Sequence, residues 1–238
     1  MLNFSPSPGR LPDGARVYAV GDVHGCAERL AAMHRMIAGD LASRPIAAAT
    51  LVHLGDYVDR GPDSAGVVRL LAAGPPAPGL RVVSLMGNHE AMMLAALAGT
   101  EAGAVPHWLA NGAAASLASW GASADDPPER WREAVPARDR ALLAGLALHH
   151  AAGGYLFVHA GIRPGVPVAR QSREDLLWMR EPFLSHRGDL GAVVVHGHTP
   201  AREPQIRANR IGLDTGAVLG GPLTCAVLEA DRVAFLFG

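Results

Sequence analysis

The chain has 238 residues, 49% hydrophobic and 18% charged, which fits one large α/β domain or two small ones and excludes a disordered chain. Its 21 Lys+Arg nearly balance 22 Asp+Glu, for a formal net charge of −1, and no basic block stands out, so composition argues against a nucleic-acid partner. The two cysteines, Cys26 and Cys225, lie far apart and form neither a disulfide framework nor a cysteine metal pair, and no apolar run reaches membrane-spanning length.

No basic segment followed by an apolar core opens the chain, so no signal peptide is expected, and a reducing cytoplasm is the expected setting. Residues 1–15 are rich in Ser, Pro and Gly and read as a flexible lead to a single domain over residues 16–238. Residues 17–20 read as a buried strand ending at Gly21-Asp22, followed by a helix over 28–37 with apolar spacing at Leu30, Met33, Met36 and Ile37. A second strand, 51–54, ends at Gly55-Asp56, and a helix over 64–73 stops at Gly74-Pro75-Pro76. A third strand, 81–86, ends at Gly87-Asn88 ahead of a helix over 91–98. This βαβαβ order puts a motif at the carboxyl end of every strand, the edge where open α/β sheets bind ligands.

Residues 99–149 read as a mostly helical insertion over one side of the site, with a helix over 137–148 that ends at His149-His150. Trp108, beside Asn111-Gly112, fits core packing at least as well as a substrate groove. Strands return at 155–158 before His159 and at 193–195 before His196-Gly197-His198, and 223–228 with 232–237 form a closing hairpin. A second sheet packed on the first is the simplest architecture. Alternation turns His196 away from His198, so it is expected to be buried and hydrogen-bonded, and His53, alternating within its strand, is expected to be core.

The chemistry lies in an ordered series: Asp22-Val23-His24, Gly55-Asp56-Tyr57-Val58-Asp59-Arg60-Gly61, Gly87-Asn88-His89-Glu90, His159 and His198. Each block alone is a weak match, but their joint occurrence after strands is a strong signal. Asp and Asn oxygens mixed with imidazole nitrogens suit divalent transition ions. Asp22 and His24 alternate onto one side of an extended end, Asp56 has two oxygens with which to bridge two ions, and Asn88, His159 and His198 complete the second. Two ions about 3.5–4 Å apart clamp a phosphoryl group and lower the pKa of a shared water from roughly 16 toward neutrality, so the expected nucleophile is a metal-bridging hydroxide. His89, next to Asn88, is expected to protonate the leaving alcohol, and the Asp59 carboxylate favours its protonated form. Arg60 offers a planar fork for phosphate oxygens, either free or ion-paired with Asp59.

From Val17 onward these blocks resemble the phosphoprotein-phosphatase family of metallophosphoesterases, in its small bacterial branch. The likeness includes Asp175-Leu176-Leu177-Trp178-Met179-Arg180-Glu181-Pro182-Phe183 and Val195-His196-Gly197-His198-Thr199-Pro200. Pro200 stands where many other metallophosphoesterases carry a second ligating histidine, which favours this branch. The resemblance implies an α/β fold, a calcineurin-like sandwich of two mixed sheets flanked by helices. It implies that Asp22 and His24 hold one metal, that Asp56 bridges, and that Asn88, His159 and His198 hold the other. His89 is then the general acid oriented by Asp59, and Arg60 and Arg180, with Asn88, bind the phosphate. The implied cofactors are two divalent ions, manganese first, with iron or zinc in some members. The implied substrates are phosphoserine and phosphothreonine of a phosphorylated protein, extending to phosphotyrosine or small phosphate esters. The alternative is a symmetric bis(5'-nucleosyl)-tetraphosphate hydrolase, a sister group that typically has alanine at the position of Asp59 and Asp at that of Glu90. A non-catalytic phosphate-binding module is disfavoured, because every expected position is filled.

Overall fold

The computed structural model describes residues 2–99 and 101–238. Strands β1 (Ser5–Pro6) and β2 (Ala15–Val20) lead to helix α1 (Ala27–Ser43), then β3 (Ala48–His53), α2 (Ser64–Ala72), β4 (Leu80–Ser84) and α3 (Asn88–Ala98). Four short helices follow: α4 (Ala104–Ala110), α5 (Ala113–Ser119), α6 (Pro128–Ala134) and α7 (Ala137–Ala144). The second half holds β5 (His149–Ala152), β6 (Tyr155–Val158), α8 (Arg173–Trp178), β7 (Val193–His196), β8 (Gln205–Arg207), β9 (Arg210–Gly212), β10 (Thr224–Glu229) and β11 (Arg232–Phe237). One sheet runs β1-β11-β10-β2-β3-β4 and the other β5-β6-β7-β9-β8. Both are mixed: β2, β3 and β4 are parallel in the first, β6, β7 and β9 in the second, and the remaining pairs are antiparallel.

Strand β2 explains the layering. Its residues from Arg16 to Val20 are all buried, and alternation sends them to opposite faces. Val17 and Ala19 join Val52, Leu54, Phe157, Val195, Ile211 and Leu213 between the two sheets. Tyr18 and Val20 face Leu30, Met33 and Ile37 of α1 and Val67 and Val68 of α2. A smaller cluster, with Leu156, Val158, Leu176 and Phe183, closes the outer face of the second sheet. The result is a helix–sheet–sheet–helix stack with the parallel strand ends of both sheets on one edge.

Two expectations change. Residues 1–15 were expected to be flexible, but Ser5 pairs with Val233, the Ser7 and Leu11 N–H groups donate to Asp231 and Ala230, and Leu11 is buried between the sheets. The apolar anchor Leu11 and a free edge on β11 outweigh the loop-like composition. His149 and His150 begin strand β5, paired with β6, because the preceding helix already stops at Gly145. His53 and His196 are buried as expected, His53 with its Nε2 2.9 Å from that of His34.

Behind the sheet, Arg16, Tyr18, Asp40, Arg44 and Glu229 form a half-buried network. Asp40 accepts from Tyr18 at 2.6 Å and from Arg44 at 2.7 and 2.9 Å. Burial pushes the Asp40 and Glu229 carboxyls up, but Arg44 and Arg16 outweigh it and hold both below their ordinary values. Groups depressed on folding contribute stability above their unfolded pKa and lose it as pH falls through the folded value. The stability this network adds should therefore be constant near neutrality and fall away below about pH 4, read as an acid limb in thermal melts. Asp40→Asn should lower the plateau and flatten that acid limb, and an unchanged limb would show that the network carries none of it.

Candidate metal centre

The six loops after β2, β3, β4, β6, β7 and β9 converge on the common edge and carry Asp22 and His24, Asp56 and Asp59, Asn88 and His89, His159, His198 and Asp214 in turn. All nine side chains are buried. The backbone must turn sharply at each strand end. Among the described residues, five of the six non-glycine positions with positive φ are site residues: His24, Asp56, Asp59, Arg60 and His198. Glycine provides the close approaches: a Cβ on Gly87 would strike the Asp56 carboxylate, and one on Gly197 that of Asp22.

Two potential ligand groups share Asp56: His24 and His89 with one of its sides, His159 and His198 with the other. The carboxylate turns Oδ2 toward His24 Nε2 at 3.5 Å and Oδ1 toward His159 Nε2 at 3.3 Å. His24 donates its Nδ1–H to the Val58 carbonyl at 2.8 Å and His159 donates its own to Leu54 at 2.9 Å, which leaves Nε2 as the free lone pair in both. Asn88 Oδ1 lies 2.9 Å from His159 Nε2 and 3.0 Å from His198 Nδ1. The Asp22 carboxylate accepts the His198 N–H at 2.9 and 3.1 Å, which ties the first sheet's loop to the second sheet's.

The electrostatics call for cations. Asp22, Asp56, Glu90 and Asp214 are buried together, while the nearby arginines, Arg60 and Arg180, are exposed. Burial and the Asp214 charge push the Asp22 carboxyl well above its usual range. Burial also pushes Asp56 up, but the His159 and His89 imidazoles outweigh it and hold Asp56 well below. His159 is raised to about 10, its burial overcome by Asp56, whereas burial lowers His24 to about 4 and His198 to about 3. An excess of buried carboxylates, beside His24 and His198 imidazoles uncharged at neutral pH and a His159 whose proton a bound ion would displace, is the environment a divalent ion neutralises.

The sequence-derived residues thus come together, with distinctions. Asp59 and His89 form a separate pair, Nδ1 to Oδ2 at 2.7 Å, and both are shielded from solvent. Arg60 is not paired with Asp59; its Nη1 lies 2.9 Å from His24 Nε2 at the rim. Arg180 is exposed, and its charge helps hold the His198 imidazole down. Sequence reasoning gave no role to Glu90, which is fully buried and accepts the N–H groups of Gly87, Asp56, Tyr57 and Val58 at 2.7–3.1 Å. Its place at the third position of α3, from which it accepts the Gly87 N–H as one half of a capping box, was the available signal. Trp108 is core, as expected, yet its Nε1–H donates to Asp59, a contact across 49 positions that no local pattern reveals.

Residues 15–238 match the calcineurin-like phosphoesterase family. The chain is 32% identical over 218 residues to serine/threonine-protein phosphatase 1 of Salmonella typhimurium, covering 90% of this chain and 92% of the relative. It is 30% identical over 222 residues to the asymmetrical bis(5'-nucleosyl)-tetraphosphatase PrpE of Bacillus velezensis, covering 86% of each. A crystal structure provisionally described as a diadenosine tetraphosphatase superposes with a TM-score of 0.67 at 28% identity, covering 94% of this chain and 93% of that one.

Proposed function

The chain belongs to the calcineurin-like phosphoesterase family and is a phosphoester hydrolase, and we propose that its substrates are phosphoserine and phosphothreonine monoesters. In this reading Asp22, His24 and Asp56 hold one divalent ion, and Asp56, Asn88, His159 and His198 hold another. Manganese suits the mixture of oxygen and imidazole donors. When bound, such a pair supplies Lewis acidity and an activated water. Arg60 and Arg180, exposed at the rim, orient the phosphate. Asp59 keeps His89 Nδ1 protonated, so Nε2 is the atom that delivers a proton to the leaving oxygen. The free thiols Cys26 and Cys225 suit a cytoplasmic setting.

The observation that carries this reading is the buried Asp59–His89 pair. Serine and threonine leave as alkoxides, which need a proton in the transition state. A nucleotide leaving from a phosphoanhydride is already a stable anion and needs far less help. A carefully held acid therefore favours an alcohol leaving group. The similarity to the Bacillus velezensis tetraphosphatase favours a second reading, dinucleoside tetraphosphate cleavage. Initial rates on manganese-loaded protein, read as phosphate release from a phosphoserine peptide and as mononucleotide products from diadenosine tetraphosphate (whose cleavage liberates no inorganic phosphate), should show a kcat/KM at least about tenfold higher for the peptide, about 1.4 kcal/mol of discrimination. The reverse preference would overturn the first reading in favour of the second.

A further inference from the structure

The Asp59 carboxylate has more partners than the histidine it orients. Oδ1 accepts the Ser116 hydroxyl at 2.7 Å, Oδ2 accepts His89 Nδ1–H, and the Trp108 indole N–H lies 3.0 Å from both oxygens. The Asp59 backbone N–H donates to Ser116 Oγ at 2.7 Å and to Ser64 Oγ at 3.1 Å. One residue on, the Arg60 N–H donates to the Gly112 carbonyl at 3.1 Å. Asp59 and Arg60 both hold positive φ, 70° and 69°, so this loop has no regular secondary structure to fix it. What fixes it is the corner between α4 and α5: Trp108 from α4, Gly112 from the turn, Ser116 from α5.

The corner is itself anchored. Trp108 and Ser116 have no exposed surface, and Trp108 meets Trp131 of α6 edge to face at 6.0 Å. Gly112 sits at φ 101°, and a Cβ there would press on the Arg60 Cγ and N. Each hydrogen bond does a distinct job. Ser116 and Trp108 occupy the acceptor sites of Asp59 that His89 does not use. The carboxylate can then neither rotate away from His89 nor take a water in its place. Neutral donors also satisfy the carboxylate's remaining lone pairs without a competing cation beside the imidazole.

We propose that the α4–α5 corner is a positioning device for proton delivery, with Trp108 and Ser116 as positioning residues that act on the leaving group through Asp59 and His89. The inference rests on His89 being the general acid. It gives the α4–α5 corner a part in the reaction rather than only a place over it.

The test is a leaving-group comparison on manganese-loaded protein with p-nitrophenyl phosphate, whose leaving group needs little protonation, and phenyl phosphate, whose leaving group needs more. Trp108→Phe keeps the ring and removes the N–H; Ser116→Ala removes the hydroxyl and is the smaller perturbation should the tryptophan variant not fold. In each folded variant the ratio of kcat/KM for p-nitrophenyl over phenyl phosphate should rise at least about fivefold, within the hundredfold to ten-thousandfold that acid assistance contributes. Metal content should be unaltered. Combined with His89→Asn, neither substitution should lower phenyl phosphate turnover further, because residues acting through one group are not additive. Equal losses on both substrates, or losses that add to those of His89→Asn, would overturn the proposal and leave the corner a structural support. A His89→Asn enzyme with an unchanged ratio would instead reject the general-acid assignment beneath it.

Discussion

Asp56→Asn is expected to lower turnover of a phosphoserine peptide by at least about a thousandfold, equivalent to about 4 kcal/mol of barrier. The substitution nearly preserves shape, and an amide oxygen can still accept the His89 N–H that Asp56 Oδ1 receives at 3.1 Å. It replaces the one carboxylate that presents an oxygen to each ligand group, so both ions are weakened at once. Metal content by elemental analysis should fall with activity, and excess manganese should restore only part of it. Because the His159 and His89 imidazoles hold Asp56 ionised, the metal-free variant should melt below the metal-free parent, and the rates are compared at a temperature where circular dichroism shows both folded. A variant that keeps its metals and works within tenfold of the parent would remove Asp56 from the centre of the reaction.

His89→Asn should cost about a hundredfold to ten-thousandfold in kcat on the same peptide, the usual worth of general acid assistance, with little change in KM. Geometry offers His89 two roles. It can join His24 and Asp56 around one ion, or it can be held away by Asp59 and serve as an acid. The two differ in what metal analysis reads. An acid's replacement leaves metal content at the parent level, whereas a ligand's replacement lowers it in step with activity. The 2.7 Å bond to a solvent-shielded Asp59 favours the acid, and a fall in metal content would reverse that assignment.

The strand ends and the residues that follow them were legible because both signals are local. Valine-rich runs stop at glycine, and the polar residue after each glycine lands on the binding edge. The two-sheet sandwich followed from strands returning after residue 149. Less legible was whatever depends on tertiary contact. The lead at residues 2–15 reads as loop by composition, yet an open sheet edge and one leucine capture it. The helix over 137–144 and the strand from His149 blur together, since no periodicity marks a change over four residues. Within the site, Asp59 was visible as a motif residue, but Trp108 and Ser116 were not visible as its partners. Their separations of 49 and 57 positions leave nothing for a pattern to detect.

The run of left-handed backbone at His24, Asp56, Asp59, Arg60 and His198 has a consequence for any effort to improve this protein. Each such residue costs roughly 1–2 kcal/mol against a relaxed conformation. Together they draw on a net stability that for most domains is only about 5–15 kcal/mol. Glycine at any of the five would relieve the strain and remove a functional group in the same step. Robustness and turnover are therefore opposed at the same few positions, and selection by heat resistance alone would favour a sturdier, inert chain. Selection for both must leave the catalytic edge alone and recover stability elsewhere, in the sandwich and on the helical layers.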